Sequence, residues 1–326
     1  IHHRLVGSEM CIRDRLMKGA LAGALSLSAL SVQAAELKVM LDWFINPDHG
    51  PLYVAEERGY FKDAGLEVVL QPPADPNDPP KLVAAGKYDL AVSYQPQLHL
   101  QVAQGLPLVR VATLVATPLN TIVVLEDSPI KTIADLKGKR VGFSVGGLED
   151  ALLGSVLQNH GLSMDDVKLV NVNWSLSPSL FAGKVDAVIG AYRNFELNQM
   201  DIEGRPGRAF YLEEEGVPAY DELIVVAHKD NLDDPRFKAF NHAIERGVQY
   251  MVNHPQAAWE LFIKGKRKDL DDELNRRAWR DTLPRFALRP AGLDVGRYER
   301  FAKFLTERGM IENPPAVGTY AVDLGQ

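Results

Sequence analysis

Cysteine is almost absent from this 326-residue chain, and its scarcity excludes several kinds of chemistry. The single cysteine, Cys11, lies in residues 1–15, which we interpret as the translated read-through of an adapter oligonucleotide and exclude from fold reasoning. The rest of the chain therefore offers no disulfide, thiolate nucleophile or cysteine metal ligand. The histidines are scattered without the paired spacing of a zinc site, so we expect no bound metal.

The chain also lacks an excess of positive charge and an apolar run long enough to span a bilayer. Residues 16–34 have the pattern of a secretory signal peptide: Lys18 near the start, a short apolar stretch at 20–32 and a small residue at the end. Without residues 1–34 the formal net charge changes from −7 to −9. This acidity argues against nucleic acid as a partner, and the signal pattern predicts a periplasmic protein.

The remaining residues, about 290, are enough for two lobes with separate cores. Short apolar strands alternate with helices along residues 35–115, which predicts a mostly parallel sheet covered on both faces. Two further apolar runs, 120–125 and 223–227, are interpreted as connections between the lobes. The predicted domains are lobe I, residues 35–121 and 223–326, and lobe II, residues 122–222.

A weak internal repeat also suggests two related lobes. The segment Ala-Gly-Lys-Tyr-Asp-Leu-Ala-Val at 85–92 recurs as Ala-Gly-Lys-Val-Asp-Ala-Val-Ile at 182–189, and a tyrosine follows each copy, Tyr94 and Tyr192. Shared turn chemistry between unrelated units is the alternative explanation. Duplication predicts that the strand ends of the two lobes face each other across a cleft that contains both tyrosines.

The loop after the first strand is rich in side chains that can bind a ligand. Asp42, Trp43, Asn46 and His49 lie between a strand and a helix that Pro51 begins. Ligands of open α/β sheets bind at this position, just past the carboxyl end of a strand. The alternative is a core tryptophan flanked by turn residues. An aromatic clamp of Trp43, Tyr94 and Tyr192 would add about 0.5–1.5 kcal/mol per stacked pair.

Residues 142–146, Gly-Phe-Ser-Val-Gly, match the G-x-S-x-G pattern of a hydrolase nucleophile elbow. The loop is longer than a sharp elbow and no histidine has a suggestive setting, so we favour backbone amides of Gly146 and Gly147 that hold a polar ligand group. Glu196, four residues after Tyr192, is either a ligand carboxylate or a solvated helix residue. We predict no catalytic residue and no cofactor. The candidate ligand-binding residues are Asp42, Trp43, Asn46, His49, Tyr94, Gly146, Gly147, Tyr192 and Glu196.

Taken together, these motifs resemble the NMT1/THI5-like family of substrate-binding proteins. The resemblance rests on residues 41–55, 80–86, 94–97, 116–120, 144–147 and 190–196. It implies a periplasmic binding protein-like type II fold, α/β, with two lobes joined by two crossover strands. It further implies a monomer that delivers its ligand to an ABC permease in the inner membrane. The motifs are most similar to those of thiamine-salvage proteins, which implies a 4-amino-2-methylpyrimidine derivative as the ligand; riboflavin and an aliphatic sulfonate remain alternatives.

One branch of the family consists of pyrimidine synthases that consume their own histidine and hold pyridoxal phosphate on a lysine. In those enzymes the lysine and histidine follow the strand that corresponds to residues 88–92, and a cysteine-rich motif lies downstream. Here the matching positions are Ser93 and Gln97, and no cysteine follows residue 34. The departure implies binding rather than synthesis. A sulfonate site would require an arginine clamp, and Arg193 is the only arginine near the cleft motifs.

Overall fold

The computed structural model describes residues 34–325. The predicted adapter-derived segment, residues 1–15, and the predicted signal peptide, residues 16–34, therefore lie outside the described residues except for Ala34.

Ten strands within the described residues form two five-stranded sheets. The strands are β1 (Ala35–Met40), β2 (Leu66–Gln71), β3 (Leu90–Ser93), β4 (Leu108–Val115), β5 (Asn120–Leu125), β6 (Arg140–Phe143), β7 (Lys168–Asn171), β8 (Ala187–Tyr192), β9 (Gly207–Tyr211) and β10 (Leu223–His228). The first sheet has the order β2-β1-β3-β10-β4, and the second has the order β7-β6-β8-β5-β9. We call the two halves of the molecule built on these sheets the first and second lobes.

Eleven α-helices accompany the sheets in the described part of the chain. They are α1 (Gly50–Glu57), α2 (Tyr60–Asp63), α3 (Pro79–Ala84), α4 (Gln95–Ala103), α5 (Gly154–Asn159), α6 (Leu176–Phe181), α7 (Glu196–Ile202), α8 (Pro235–Asn253), α9 (Pro255–Phe262), α10 (Glu273–Thr282) and α11 (Val295–Glu307). Helices α5–α7 belong to the second lobe and the others to the first. None of these helices is both long and apolar enough to cross a membrane.

The two sheets repeat one plan. In each, three neighbouring strands are parallel (β2, β1 and β3; β7, β6 and β8), and the next strand, β10 or β5, is antiparallel to its neighbours. The repeated segments therefore supply β3 and β8, which occupy equivalent central positions. The two-lobed α/β class predicted from sequence is confirmed, although the sheets are mixed because each contains one strand that returns from the other lobe.

The chain crosses between the lobes twice, at residues 116–119 and again at residues 212–222. The apolar runs interpreted as connections, 120–125 and 223–227, are β5 and β10, the first strands after each crossing. They lie inside their sheets, which is why they are continuously apolar. Glu222 joins the two crossings, because its carboxylate accepts hydrogen bonds from the backbone amides of Leu119 (2.6 Å) and Asn120 (2.9 Å).

Burial follows strand position. Every residue of β3 is buried, as expected for a central strand covered on both faces. In β2, at the edge of the sheet, exposed residues alternate with one buried and two half-buried ones. The longest helix, α8, packs its apolar side on α1. The approach is close at Gly247, where an added Cβ would lie 2.7 Å from the carbonyl oxygen of Pro51. This packing fixes α1, and with it the loop that precedes α1.

Arg110 of β4 ties the end of the chain to the first sheet. Its side chain is fully buried and donates hydrogen bonds to the carbonyl oxygens of Ala291 and Val322, both at 2.9 Å. It also donates to the hydroxyl of Thr113 (2.7 Å). A buried cation needs hydrogen-bond acceptors, and because backbone carbonyls near the end of the chain supply them, the C-terminal segment is held as part of the first lobe.

Candidate functional site

A cavity lies between the lobes, at the carboxyl ends of β1, β3, β6 and β8. This is the position at which α/β sheets bind ligands. From the first lobe it is lined by Asp42, Trp43, Asn46, Asp48 and Tyr94. From the second lobe it is lined by Asn120, Phe143, Ser144, Val145, Leu148, Glu149, Leu176, Ile189, Gly190, Tyr192, Phe195 and Glu196. Four of these residues are acidic, and the described lining includes no lysine, arginine or histidine.

Asp42, in the loop after β1, is held by hydrogen bonds to both of its carboxylate oxygens. Oδ1 lies 2.8 Å from Nε2 of His49, and Oδ2 accepts from the hydroxyl of Tyr94 at 2.8 Å. Because Nδ1 of His49 accepts from the amide of Asn46 (3.3 Å), the ring proton is assigned to Nε2, which donates to Asp42. Burial, followed by the negative charge of Asp42, raises the pKa of Tyr94 well above its usual value, so the hydroxyl stays a donor.

Asn46 shapes the same loop. Its side-chain oxygen accepts from the amide of Asp48 (2.8 Å) and so caps the helical turn Pro47–His49, while its Nδ2 donates to the carbonyl of Phe44 (3.1 Å). The turn aims Asp48 into the cavity. His49 is fully buried behind Asp42 and does not line the cavity.

Asp48 connects the lobes. Its Oδ1 accepts from Nδ2 of Asn194 in the second lobe (2.7 Å) and from the hydroxyl of Thr282 in the first (2.8 Å). Burial raises the pKa of Asp48 to about 6, although the hydrogen bond from Thr282 and the neighbouring His49 act in the opposite direction.

Two buried carboxyl groups contact Tyr192 of the second-lobe wall. Oε2 of Glu196 accepts from the backbone amide of Tyr192 (2.7 Å), and Oε1 of Glu222 lies 3.3 Å from the Tyr192 hydroxyl, which donates to it. Burial raises the pKa of Glu196 and of Glu222 to about 7. Near neutral pH Glu196 can therefore present either a carboxylate or a carboxylic acid to the cavity, and thus accept or donate a hydrogen bond.

Aromatic side chains from both lobes meet beside the cavity. The ring centroids of Trp43 and Trp174 are 4.4 Å apart, and those of Phe44 and Phe195 are 5.8 Å apart. Trp43 and Phe44 come from the first lobe, and Trp174 and Phe195 from the second. These contacts cover one side of the cleft with apolar surface, which lowers the local polarity around the four acidic side chains.

The structure brings six of the nine predicted site residues to the cavity wall, namely Asp42, Trp43, Asn46, Tyr94, Tyr192 and Glu196. The other three, His49, Gly146 and Gly147, do not line it. The amide of Gly146 donates to Oδ1 of Asn77 in the first lobe (2.7 Å), so it is not free for a ligand. The Ser144 hydroxyl of the G-x-S-x-G segment donates to the carbonyl of Asn173.

Several residues at or beside the cavity were not predicted from sequence. Asp48 lies inside the opening motif beside the predicted Asp42, Asn46 and His49, so the sequence did carry a signal for it. Trp174 and Phe195 follow β7 and β8, where ligand-facing loops are expected once the sheet order is known. Glu222 has no local sequence signal, because its role depends on two crossings that are distant in the chain.

Known proteins resemble this chain in sequence and in fold. The sequence model described as NMT1/THI5 like matches residues 46–258. A Haemophilus influenzae protein whose name refers to thiamine biosynthesis is 53% identical over 300 residues, covering 92% of this chain and 96% of that protein. The formylaminopyrimidine-binding protein of Halalkalibacterium halodurans is 35% identical over 229 residues, covering 70% of this chain and 69% of its own.

More distant relatives carry other names. A 4-amino-5-hydroxymethyl-2-methylpyrimidine phosphate synthase of Legionella pneumophila is 26% identical and covers 86% of this chain and 90% of its own. Among solved structures, the alkanesulfonate-binding protein of Xanthomonas axonopodis pv. citri, bound to MOPS, superposes with a TM-score of 0.69 at 18% identity. That match covers 88% of this chain and 98% of the other, and at this identity it shows the fold alone.

A Candida albicans protein described as having the generic periplasmic binding protein fold superposes with a TM-score of 0.71 at 20% identity, covering 88% of this chain and 96% of its own. The two-lobed architecture is therefore the periplasmic binding protein fold. With its family match and its relatives above 30% identity, the chain belongs to the NMT1/THI5-like family.

Proposed function

We propose that this protein is the periplasmic solute-binding component of an ABC importer and captures a 4-amino-2-methylpyrimidine precursor of thiamine between its lobes. The observation that carries the proposal is the composition of the cavity wall: four acidic side chains with aromatic neighbours, and no cationic side chain among the described lining residues. Such a wall suits a flat, neutral or weakly basic ligand that donates hydrogen bonds.

The hydrogen-bonding groups of an aminopyrimidine match the acidic side chains of the cavity wall. The exocyclic amine of an aminopyrimidine donates to Asp42 or Glu196, while the ring nitrogens need donors. Glu196, with its pKa raised to about 7 by burial, is able to supply a proton to one of them. Trp43 and Tyr192 line the cavity from opposite lobes, which favours a flat aromatic ligand between them.

An anionic ligand is disfavoured by the same wall. A sulfonate or a phosphate ester requires arginine, lysine or a cluster of free amides. Arg193, the one arginine near the predicted cleft motifs, binds Glu213 through two hydrogen bonds (2.7 and 2.8 Å) and stacks on Tyr211 at 4.5 Å from the ring centroid. It does not line the cavity. We therefore favour an unphosphorylated pyrimidine over the sulfonates named in the structural neighbours.

A binding role is favoured over synthesis by the residues at the lysine and histidine positions of the related enzymes. Ser93 and Gln97 occupy them here, and the serine hydroxyl lies 3.4 Å from Oε1 of Gln97. Neither side chain lines the cavity. The 35% identity to a formylaminopyrimidine-binding protein, against 26% to a named synthase, supports the same choice.

Isothermal titration calorimetry of the purified protein tests the proposal. The ligands are formylaminopyrimidine, hydroxymethylpyrimidine and its phosphate, riboflavin, taurine and nitrate. We expect saturable binding of an unphosphorylated aminopyrimidine, with at least tenfold weaker binding of the phosphate ester. A response to taurine or riboflavin without a response to any pyrimidine would refute the assignment.

A further inference from the structure

Gly146 in the second lobe is hydrogen-bonded through both its backbone N–H and its carbonyl oxygen to amide side chains of the first lobe. Its N–H donates to Oδ1 of Asn77 at 2.7 Å, and its carbonyl oxygen accepts from Nε2 of Gln97 at 2.9 Å. Nδ2 of Asn77 also donates to the carbonyl of Ser144 at 3.4 Å. These hydrogen bonds join the β2–α3 loop and α4 of the first lobe to the β6 loop of the second.

Asn77 is positioned in advance for this contact. Oδ1 of Asp75 accepts from both the backbone amide (2.8 Å) and the side-chain Nδ2 (2.9 Å) of Asn77. These hydrogen bonds hold the pKa of Asp75 below its usual value, so it remains a carboxylate acceptor. Because Nδ2 must face that carboxylate, Oδ1 is left to face the second lobe. The proline-flanked loop therefore presents an acceptor of fixed orientation to Gly146.

Gln97 is positioned in a similar way on α4, where its side chain is almost fully buried. Its Oε1 lies 3.4 Å from the hydroxyl of Ser93, which donates to it and so directs Nε2 toward Gly146. The approach leaves little room: a Cβ at Gly146 would lie 3.3 Å from Oδ1 of Asn77. Gly147 adopts a φ of +88°, a conformation that favours glycine.

None of the three groups lines the cavity, yet Ser144 and Val145 of the same loop do. We propose that Asn77, Gln97 and Gly146 form an inter-lobe latch. It stabilises the arrangement described here, in which the lobes touch around the cavity (the closed form), and so raises ligand affinity without contacting the ligand. The latch rests on the proposed solute-binding function. Since its hydrogen bonds join the two lobes, they stabilise the closed form alone. Apparent affinity scales with the fraction of molecules in the binding-competent form, so loss of the latch weakens binding from a distance.

Binding kinetics of Asn77→Ala and Gln97→Ala test the latch, with hydroxymethylpyrimidine as the probe. Gln104→Ala is the matched control, because Gln104 is an exposed glutamine at the end of the same helix, α4. We expect each latch variant to raise Kd by about threefold to tenfold, mainly through faster dissociation, and the control to leave Kd unchanged. Wild-type affinity in both latch variants would overturn the proposal.

A measurement on the ligand-free protein tests the latch independently of which ligand binds. Nitroxide labels at Lys62→Cys in the first lobe and Lys184→Cys in the second, with Cys11→Ser, report the inter-lobe distance by double electron–electron resonance. We expect Asn77→Ala combined with Gln97→Ala to move the distribution toward longer distances. An unchanged distribution would overturn the latch. Failure of every pyrimidine to bind the wild-type protein would instead overturn the proposed function, and the distance measurement would still decide the latch.

Discussion

At the scale of single residues, Trp43 tests whether the opening loop serves the ligand or the core. It is half-buried, lines the cavity and contacts Trp174 of the other lobe. A ligand ring stacked on it buries apolar area and gains a ring contact, together about 2 kcal/mol or more. Trp43→Ala is therefore expected to raise Kd by about 30-fold or more, measured by calorimetry, with a smaller effect on the free energy of unfolding.

Trp259→Ala is the matched comparison, because Trp259 is buried in α9 and does not line the cavity. Its removal is expected to cost about 3–5 kcal/mol of folding stability in urea denaturation. Equal losses of stability in the two variants, with ligand affinity retained in Trp43→Ala, would assign Trp43 to the core.

The residues that could be predicted from sequence are those whose role is set by their place after a strand. Asp42 and Tyr94 follow β1 and β3. The order of strands and helices in the sequence already places both residues at the carboxyl ends of the parallel strands. The prediction for Gly146 named a loop whose Ser144 and Val145 line the cavity, but it missed the partner of the Gly146 amide. That partner is the side-chain oxygen of Asn77, which accepts a hydrogen bond from the Gly146 amide. Asn77 lies in the other lobe, and a contact between residues so distant in the chain cannot be predicted from a local sequence pattern.

At the scale of elements, strands with continuous apolar runs were predictable from the sequence, whereas β7 and β9 at the two edges of the second sheet were not. β3 and β10 are buried throughout most of their length, whereas β7 exposes most of its residues. A strand that is polar on its exposed edge gives no clear period, so β7 and β9 carry little signal in the sequence. The antiparallel direction of β5 and β10 was also not predictable from the sequence, because each enters its sheet from the opposite lobe.

The contact between α1 and α8 yields a prediction at this scale. A Cβ at Gly247 would lie 2.7 Å from the Pro51 carbonyl oxygen and 3.3 Å from the Ala55 Cβ, so the helices must separate. Gly247→Ala is expected to lower the free energy of unfolding by about 1–3 kcal/mol in urea denaturation, despite the better helix propensity of alanine.

Gly296→Ala in α11 is the control for this substitution. The nearest atom to an added Cβ there is the guanidinium end of Arg300 at 3.1 Å, which is able to move away. The control should be neutral or slightly stabilising. A loss of stability as large in Gly296→Ala as in Gly247→Ala would mean that close helix packing is not the cause.

At the scale of the whole molecule, the lobes meet around buried acids that titrate near neutral pH. Burial raises the pKa of Asp48 to about 6 and that of Glu196 and Glu222 to about 7. In the unfolded chain such groups titrate near pH 4. Between these values the folded protein binds more protons than the unfolded chain, so these acids make the free energy of unfolding fall as pH rises.

His99 contributes the opposite dependence over a different range. Burial lowers its pKa to about 3, whereas an unfolded histidine titrates near pH 6.5. Its contribution to stability is complete above pH 6.5 and is lost as pH falls below that value. Between pH 6.5 and 8 the buried acids therefore act with little opposition from His99.

We expect the free energy of unfolding to decrease by about 1–2 kcal/mol from pH 6.5 to pH 8.0, measured by urea denaturation with an unchanged m-value. Glu222→Gln should reduce this decrease by nearly half, since a neutral amide keeps an acceptor for the amides of Leu119 and Asn120 but no longer ionises. Asp135→Asn is the control, because hydrogen bonds from the backbone amides of Lys131 and Thr132 hold the pKa of this exposed carboxyl below its usual value. Two results would contradict this account of the buried acids. One is a free energy of unfolding that stays constant or rises between pH 6.5 and 8.0, and the other is a pH dependence in Glu222→Gln equal to that of the wild type.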